Sequence, residues 1–363
     1  MKFKAQKETL LKGIQTVQNV ITPKLTLPIL SNILIETQQN NLRLTSTDLD
    51  IGISCVVPVD IQEAGSITIP AKRFGDVIKE LPSDEVNINT KKNNLITIET
   101  KLCQFKIMGL APEEFPKLPE FKDKEAIKLE QLALQEMLRL TSFAVSYDET
   151  RNILNGILFK INKNKLTLVA TDGKRLAIIE RQLPQNTDKD MRFIVPAKTI
   201  QELNRNLKEE GDLSLILGDN QALFDLGGTV IISRLIEGEF PDYQQVIPPA
   251  SGNKMEISRE QFMLAIKRAA LLSTPDYQAV KLEIFRDRLV VSKSTPDIGE
   301  SREEVPVVYQ GKELAIGFNP HYLVDVLKNL NQEKIEFEFI DSEKPGVIRL
   351  NGYTYIVLPM RLS

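Results

Sequence analysis

The chain has no tryptophan, one histidine and two cysteines among its 363 residues. A single histidine with no cysteine cluster beside it excludes the usual zinc-ligand spacings. Cys55 in "IGISCVV" and Cys103 in "LCQFKI" both fall in strand-like runs, which fits inert reduced thiols better than a disulfide framework. No apolar run approaches the roughly 18 to 20 residues of a membrane span. The opening "MKFKAQKETLLKG" lacks the charged, apolar and small-residue order of a signal peptide, so a cytoplasmic location is expected. Phosphate-cradling glycine loops are missing, and so is a Gly-x-Ser-x-Gly elbow. His321, in "GFNPHYL", opens a helix and has no nucleophile and orienting acid to work with. Acidic pairs such as Glu113-Glu114, Asp148-Glu149 and Glu303-Glu304 read as solvated faces rather than as a catalytic dyad. No catalytic residue, metal or cofactor is therefore expected.

What is present is length and moderate charge. A net charge of −3 and a pI near 5.6 argue against gripping nucleic acid through bulk positive charge, while leaving room for a local basic surface. A chain of 363 residues exceeds one ordinary core and suits two or three domains.

The sequence repeats one plan three times. "LTLPILSNILIE", "TRNILNGILFK" and "YQAVKLEIF" each lead from a turn into an apolar strand. Second strands with polar turns follow in "LRLTSTDLDIGIS", "LTLVATDGKRLAII" and "LVVSKSTPDIGE". "ITIPAKRFGDVIKELP", "FIVPAKTIQELNRNL" and "LAIGFNPHYLVDVLKNL" each close a strand at a proline and feed a helix. The third copy has Phe318-Asn319-Pro320 in place of Pro-Ala-Lys. A lead-in strand and helix recur in "MKFKAQKETLLKGIQTVQNVI", "AIKLEQLALQEMLRLTSFAV" and "KMEISREQFMLAIKRAALLS". The period, about 125 residues, is the size of a domain rather than of a solenoid unit. The pattern predicts an α+β chain of three similar domains, 1–122, 123–250 and 251–363, each with helices on antiparallel sheet. The last residues, "YTYIVLPMRLS", alternate strand-forming types, so a strand buried on at least one face is expected to run to the terminus.

"TLPILSNI", "LTSTDLDIGI", "LNGILF", "ATDGKRLA", "GEFPDY" and "VLPMRL", in that order along the whole chain, resemble the bacterial replicative sliding clamp, the β subunit of DNA polymerase III holoenzyme. The resemblance implies a head-to-tail homodimer closed into a ring around duplex DNA, read without sequence preference. It also implies a non-catalytic processivity function, with the replicative polymerase and clamp loader docking through short linear peptides. An alternative is a paralogous scaffold of the same fold that binds peptides without being loaded on DNA.

The same likeness places a peptide cleft on Leu154, Thr171, Gly173, Lys174, Arg175, Leu176, Pro241, Val246, Asn319, Tyr322, Ile356, Leu358, Pro359, Met360 and Arg361. DNA-facing cations are expected at Lys12, Lys24, Lys72, Arg73, Lys79, Lys198, Arg205 and Lys208, mostly on helices. The ring contact is expected to join Lys101, Phe105, Lys106 and Ile107 to Leu271, Leu272, Glu300, Glu303 and Glu304.

Overall fold

The computed structural model describes residues 1–21, 27–91, 93–121, 124–185, 187 and 190–362. Lys24 lies outside the described residues. The first third runs β1 (Lys2–Gln6), α1 (Lys7–Gln18), β2 (Asn32–Gln38), β3 (Asn41–Thr47), β4 (Ile51–Pro58), β5 (Asp60–Glu63), β6 (Ser66–Pro70), α2 (Ala71–Glu80), β7 (Glu85–Thr90), β8 (Leu95–Glu99) and β9 (Gln104–Met108). The second runs β10 (Ala126–Glu130), α3 (Gln131–Thr141), β11 (Gly156–Asn162), β12 (Lys165–Thr171), β13 (Arg175–Gln182), β14 (Met191–Pro196), α4 (Ala197–Asn206), β15 (Asp212–Leu217), β16 (Gln221–Asp225) and β17 (Thr229–Arg234). The last runs β18 (Lys254–Ser258), α5 (Arg259–Ala270), β19 (Val280–Ile284), β20 (Arg288–Thr295), β21 (Gly299–Tyr309), β22 (Leu314–Phe318), α6 (Pro320–Asn329), β23 (Lys334–Glu338), β24 (Gly346–Leu350) and β25 (Tyr353–Val357).

Prolines mark the starts of α2, α4 and α6. Pro70 ends β6, and in α2 Ala71, Phe74, Gly75 and Ile78 fall at helical spacing on one buried face. Ahead of α6, the Asn319 side chain accepts the amide of His321 while Pro320 takes the first helical position, where its missing N–H costs nothing. No helix among the described residues is long and apolar enough to cross a membrane.

Two compact units emerge, and the division passes through the central third. Residues 1–135 with 198–235 form one, and 136–197 with 236–363 form the other. The cause is sheet continuity. In the first unit an eight-stranded sheet runs β10-β15-β16-β17-β4-β3-β2-β6, so strands of the second repeat pair with β4 of the first. A five-stranded sheet, β5-β1-β7-β8-β9, completes that unit. In the second unit a twelve-stranded sheet runs β14-β11-β12-β13-β25-β24-β23-β18-β21-β20-β19-β22, joining the second repeat to the third through β13 and β25. Sheets thus run on from one repeat into another, because β17 and β25 satisfy their backbone groups on the repeat before them.

The register across the two junctions is the same. A shift of 124 residues carries Ser233↔Ile51 onto Val357↔Arg175, and Thr229↔Cys55 onto Tyr353↔Ile179. Cross-strand rows repeat as well. Phe3-Ile88-Ile98-Phe105 in the first repeat corresponds to Ile127-Leu215-Phe224-Ile231 in the second and to Met255-Phe337-Ile348-Tyr355 in the third. In each row the last residue sits on the strand that forms the junction: Ile231 faces Ile53, and Tyr355 faces Ala177. Phe105 has no such partner strand.

The terminal strand is shorter than its alternation suggests. β25 stops at Val357, because Pro359 has no N–H to give a ladder. Beyond it the chain crosses to β22, where the Met360 amide donates to the Gly317 carbonyl at 2.8 Å. Both cysteines are free, and burial pushes the Cys55 thiol up to about 12. That is an inert core thiol, donating weakly to the Gly13 carbonyl of α1.

Within the first unit Glu202 of α4 is a buried carboxylate, 2% exposed, whose Oε1 pairs with Arg205 while Oε2 lacks a partner. Burial raises its pKa, and Arg205 and Lys198 only partly oppose that. The neutral form is thus favoured on folding, so this group's contribution to stability is full below its unfolded pKa and is lost as pH rises through the folded one. Glu202→Gln, which mimics the neutral acid, is expected to melt no lower than the parent at pH 7, with the difference shrinking below about pH 4.3. Thermal melts across that range check the sign.

Candidate functional site

Buried charge and exposed apolar surface converge at one end of the β13·β25 ladder. The β12–β13 turn is built by side chains bonding to backbone. Thr171 Oγ1 donates to the Arg175 carbonyl at 2.6 Å and accepts the Gly173 amide at 3.0 Å. Asp172 Oδ1 accepts the amides of Lys174 and Arg175 at 2.9 and 3.0 Å. Gly173 takes φ +87°, where a side chain would be strained. The matching turn of the first repeat uses the same bonds around Thr47 and Asp48, yet holds Leu49 at φ 81°.

This turn aims Arg175 inward. Its Nε donates to Asp172 Oδ2 at 3.0 Å and its Nη1 to Asp325 Oδ2 of α6 at 2.7 Å. The guanidinium carbon lies 4.4 Å from the centre of the Tyr322 ring and 5.7 Å from that of Phe143. Burial alone would lower the pKa of Arg175, but Tyr355 and the two carboxylates together outweigh it and hold the group above its ordinary value. Tyr355, fully buried beneath, donates from its hydroxyl to the Tyr322 carbonyl at 2.8 Å, and burial pushes its phenol far above the usual range. Arg175 therefore acts as a fixed cationic rivet between β13 and α6 rather than as a group free to meet a ligand.

Around the rivet lies an apolar wall. Leu158, Val169, Leu176, Ile178, Ile194, Val347 and Ile356 form its buried floor, with Ile153, Ile236, Phe240, Tyr243 and Ile247 half-buried against it. Leu358 leaves the strand by donating its amide to the Lys174 carbonyl at 2.9 Å, and its side chain is 43% exposed. Pro359 and Met360 are half-buried, whereas Lys174, Pro241, Val246 and Arg361 are exposed and Leu154 and Thr171 half-buried. Gly317 allows the tail to approach, since a Cβ there would stand 2.7 Å from the Met360 carbonyl oxygen. Asn319, spent on the helix cap, also donates to Gln278 Oε1 at 3.4 Å.

All fifteen residues expected in the cleft belong to this one compact unit. Those that sequence reasoning missed are Phe143, Asp172, Tyr243, Gly317 and Asp325. Asp172 had a signal in the repeated Thr-Asp pair, and Asp325 stands three residues after Tyr322, hence on the same helix face.

The other expected residues divide. Lys12 on α1 and Lys72, Arg73 and Lys79 on α2 are exposed and carry no ion pair among the described residues. Lys198 is instead bonded to Asp48 and to the Val20 carbonyl, and Arg205 to Glu202. Lys208 stands past the end of α4 and not on it, because the helix stops at Asn206 and the Lys208 amide is taken by Gln131 Oε1 at 3.0 Å. On the edge strand β9, Phe105 is 40% exposed, Ile107 half-buried, and Lys106 exposed like Lys101 before it. Leu271, at the end of α5, is 81% exposed, and Leu272 is half-buried. Glu303 is held by Arg268 at 2.7 Å and Glu304 by Arg302 at 2.6 Å, while Glu300 accepts from Ser294 at 3.4 Å. The hydrogen bond from Arg268 keeps the Glu303 carboxyl below its usual range.

Comparison with known proteins gives a consistent picture. Residues 1–119, 128–242 and 244–361 match the families described as DNA polymerase III beta subunit N-terminal, central and C-terminal domain. The beta sliding clamp of Chlamydia muridarum is 32% identical over 363 residues, covering 100% of this chain and 99% of that protein. The structure of the Bacillus subtilis DNA polymerase sliding clamp superposes with a TM-score of 0.95 at 31% identity and full coverage of both chains. That of the Pseudomonas aeruginosa sliding clamp bound to griselimycin gives 0.95 at 33%, again over both whole chains.

Removing Arg175 leaves two carboxylates facing each other without their cation. Arg175→Ala should cost about 3 kcal/mol of stability in urea unfolding. Arg175→Lys should recover less than half of that, since one ammonium cannot serve two carboxylates from a planar fork and stack on Tyr322 as well. Full recovery by lysine would mean that charge alone matters here.

Proposed function

The chain belongs to the DNA polymerase III β subunit family, the bacterial sliding clamps, and we propose that two copies close head to tail into a ring of six repeats around duplex DNA. Its function is that of a clamp, a non-catalytic subunit that gives the replicative polymerase processivity. On this reading each copy supplies three repeats, 1–122, 123–250 and 251–363.

The observation that carries the ring is a pair of unmatched edges. β17 and β25 each pair with the preceding repeat, and their counterpart β9 pairs only with β8. β4 and β13 each receive such a strand, and their counterpart, the first part of β21, pairs only with β20 until β18 joins at Val307. Carrying the shared register over once more sets Ile107 opposite Gly299, Lys106 opposite Glu300 and Phe105 opposite Ser301 of a second copy. The exposure of Phe105, against 0% for its counterparts Ile231 and Tyr355, is what a row end left without its junction strand gives. Leu271 and Leu272 add apolar surface at the same contact.

Within the ring, Lys12, Lys72, Arg73 and Lys79 meet the phosphates, while Lys198 and Arg205 mainly hold their own helix in place. Few and purely electrostatic contacts give binding that is indifferent to sequence and steep in salt, which suits a ring that must move. The wall of Leu358, Pro359 and Met360 over the Leu176–Ile356 floor captures short apolar peptides of polymerase and clamp-loader subunits. The free edges and unpaired cations favour this over a scaffold that binds peptides but is never loaded.

Two experiments test the reading. Lys106→Glu or Glu300→Lys alone should weaken the dimer at least tenfold by light scattering, and the two together should restore it to within about threefold. No rescue would sink the register. Separately, deleting Leu358 to Ser363 should cost roughly 2 to 4 kcal/mol of peptide binding, about 30- to 1,000-fold, with dimerisation intact. Fluorescence anisotropy with a Gln-Leu-x-Leu-Phe peptide reads this, and Met360→Ala, which trims the wall without shortening it, should lose less. Undiminished binding by a normally melting truncation would leave the tail with a core role only.

A further inference from the structure

A second concavity lies at the opposite end of the β13·β25 ladder from the peptide wall. It is a cavity of about 490 Å³, within the range that holds a nucleotide-sized molecule. Its charged lining comes from Glu136 and Arg139 of α3, Lys165 of β12, and Glu180 and Arg181 of β13, beside Tyr353, the first residue of β25. Four of these charges cancel in pairs: Arg181 meets Glu136 at 3.1 Å and Lys165 meets Glu180 at 3.0 Å. Arg139 is the remainder. Its guanidinium donates to the Asn329 carbonyl, and no carboxylate pairs with it among the described residues. One positive charge is therefore left over in the cavity.

Tyr353 is 2% exposed, and its hydroxyl has no hydrogen-bond partner. A buried hydroxyl left unpaired is costly, and its persistence in a folded chain calls for a reason. Burial holds this phenol well above its ordinary range, so it stays protonated as a donor even with Arg139 acting the other way. A surplus guanidinium and an idle donor in one cavity both await an acceptor.

We propose that this cavity binds a small ligand carrying an oxyanion, phosphate or carboxylate, whose oxygens accept from the Arg139 guanidinium and the Tyr353 hydroxyl. The site is separate from the peptide wall and does not rest on the reading of that wall. Two ion pairs flank it at the surface, where such pairs are weak and free to rearrange around an incoming ligand.

The test titrates the full-length chain at constant ionic strength with inorganic phosphate, with acetate and with thymidine monophosphate, read by calorimetry and by amide shifts of the β13–β25 region. One of the three should saturate at one site per chain, and which one does so identifies the source of the oxyanion. Tyr353→Phe and Arg139→Gln should each weaken it at least tenfold and leave capture of the apolar peptide unchanged. Tyr353→Phe, which only removes an unpaired hydroxyl, should melt no lower than the parent, so loss of binding in that variant is not loss of fold. If none of the three saturates, or if binding survives both substitutions, the site does not exist.

Discussion

Backbone hydrogen bonding at sheet edges governs this chain. A repeat of this design ends each of its sheets in strands whose amides and carbonyls have no partner inside the repeat, and an open edge of that kind must be covered or paired. Pairing β17 with β4 and β25 with β13 uses up two pairs of such edges within the chain, in a common register. The compact units consequently follow sheets and not repeats. What remains, β9 and the first half of β21, is the same pair of edges a third time, and on the proposed reading only another copy can satisfy it.

The ladder between β13 and β25 has further consequences at its two ends. Arg175 begins β13, so the ladder's last pair, Arg175↔Val357, brings the tail directly against the turn that orients the rivet. The tail cannot continue as strand through Pro359 and therefore swings to β22, where Gly317 leaves it room. An apolar ledge stiffened from behind by two ion pairs and a stacked tyrosine is preorganised, and preorganisation reduces what a short peptide must give up on binding. The Tyr353 end lacks such closure and keeps an unpaired donor.

Much of this was legible in the sequence because repetition is. Strand-forming alternation, prolines at strand ends and the recurring Thr-Asp turn each predict an element, and three copies in the same order make the α+β plan hard to mistake. Family likeness implied a set of cleft residues, of which Leu176 and Ile356 share one buried cluster. Charge was not legible in the same way. Lys198 and Arg205 look like their neighbours in sequence, yet one is bonded to Asp48 and the other to Glu202. Whether a lysine faces solvent or an acid 150 residues away depends on tertiary pairing, which no local pattern encodes. The length of the last strand failed for a simpler reason: alternation continues through Pro359, while ladder bonding cannot.

That partition of cations bears on how such a ring would behave. Were every basic residue of α1, α2 and α4 free to bind phosphate, the salt dependence would be steep and the residence on one stretch of DNA long. Two of them are instead consumed in ion pairs inside their own unit, which lowers the number of mobile cations without lowering the count in the composition. A net charge of −3 then allows a modest positive surface on α1 and α2 set in an acidic remainder. On the proposed reading, attachment comes from closure of the backbone ladder, and the electrostatics need only keep the duplex centred. Strong edge pairing with weak phosphate contact is the combination that lets a protein be hard to remove from DNA and easy to move along it.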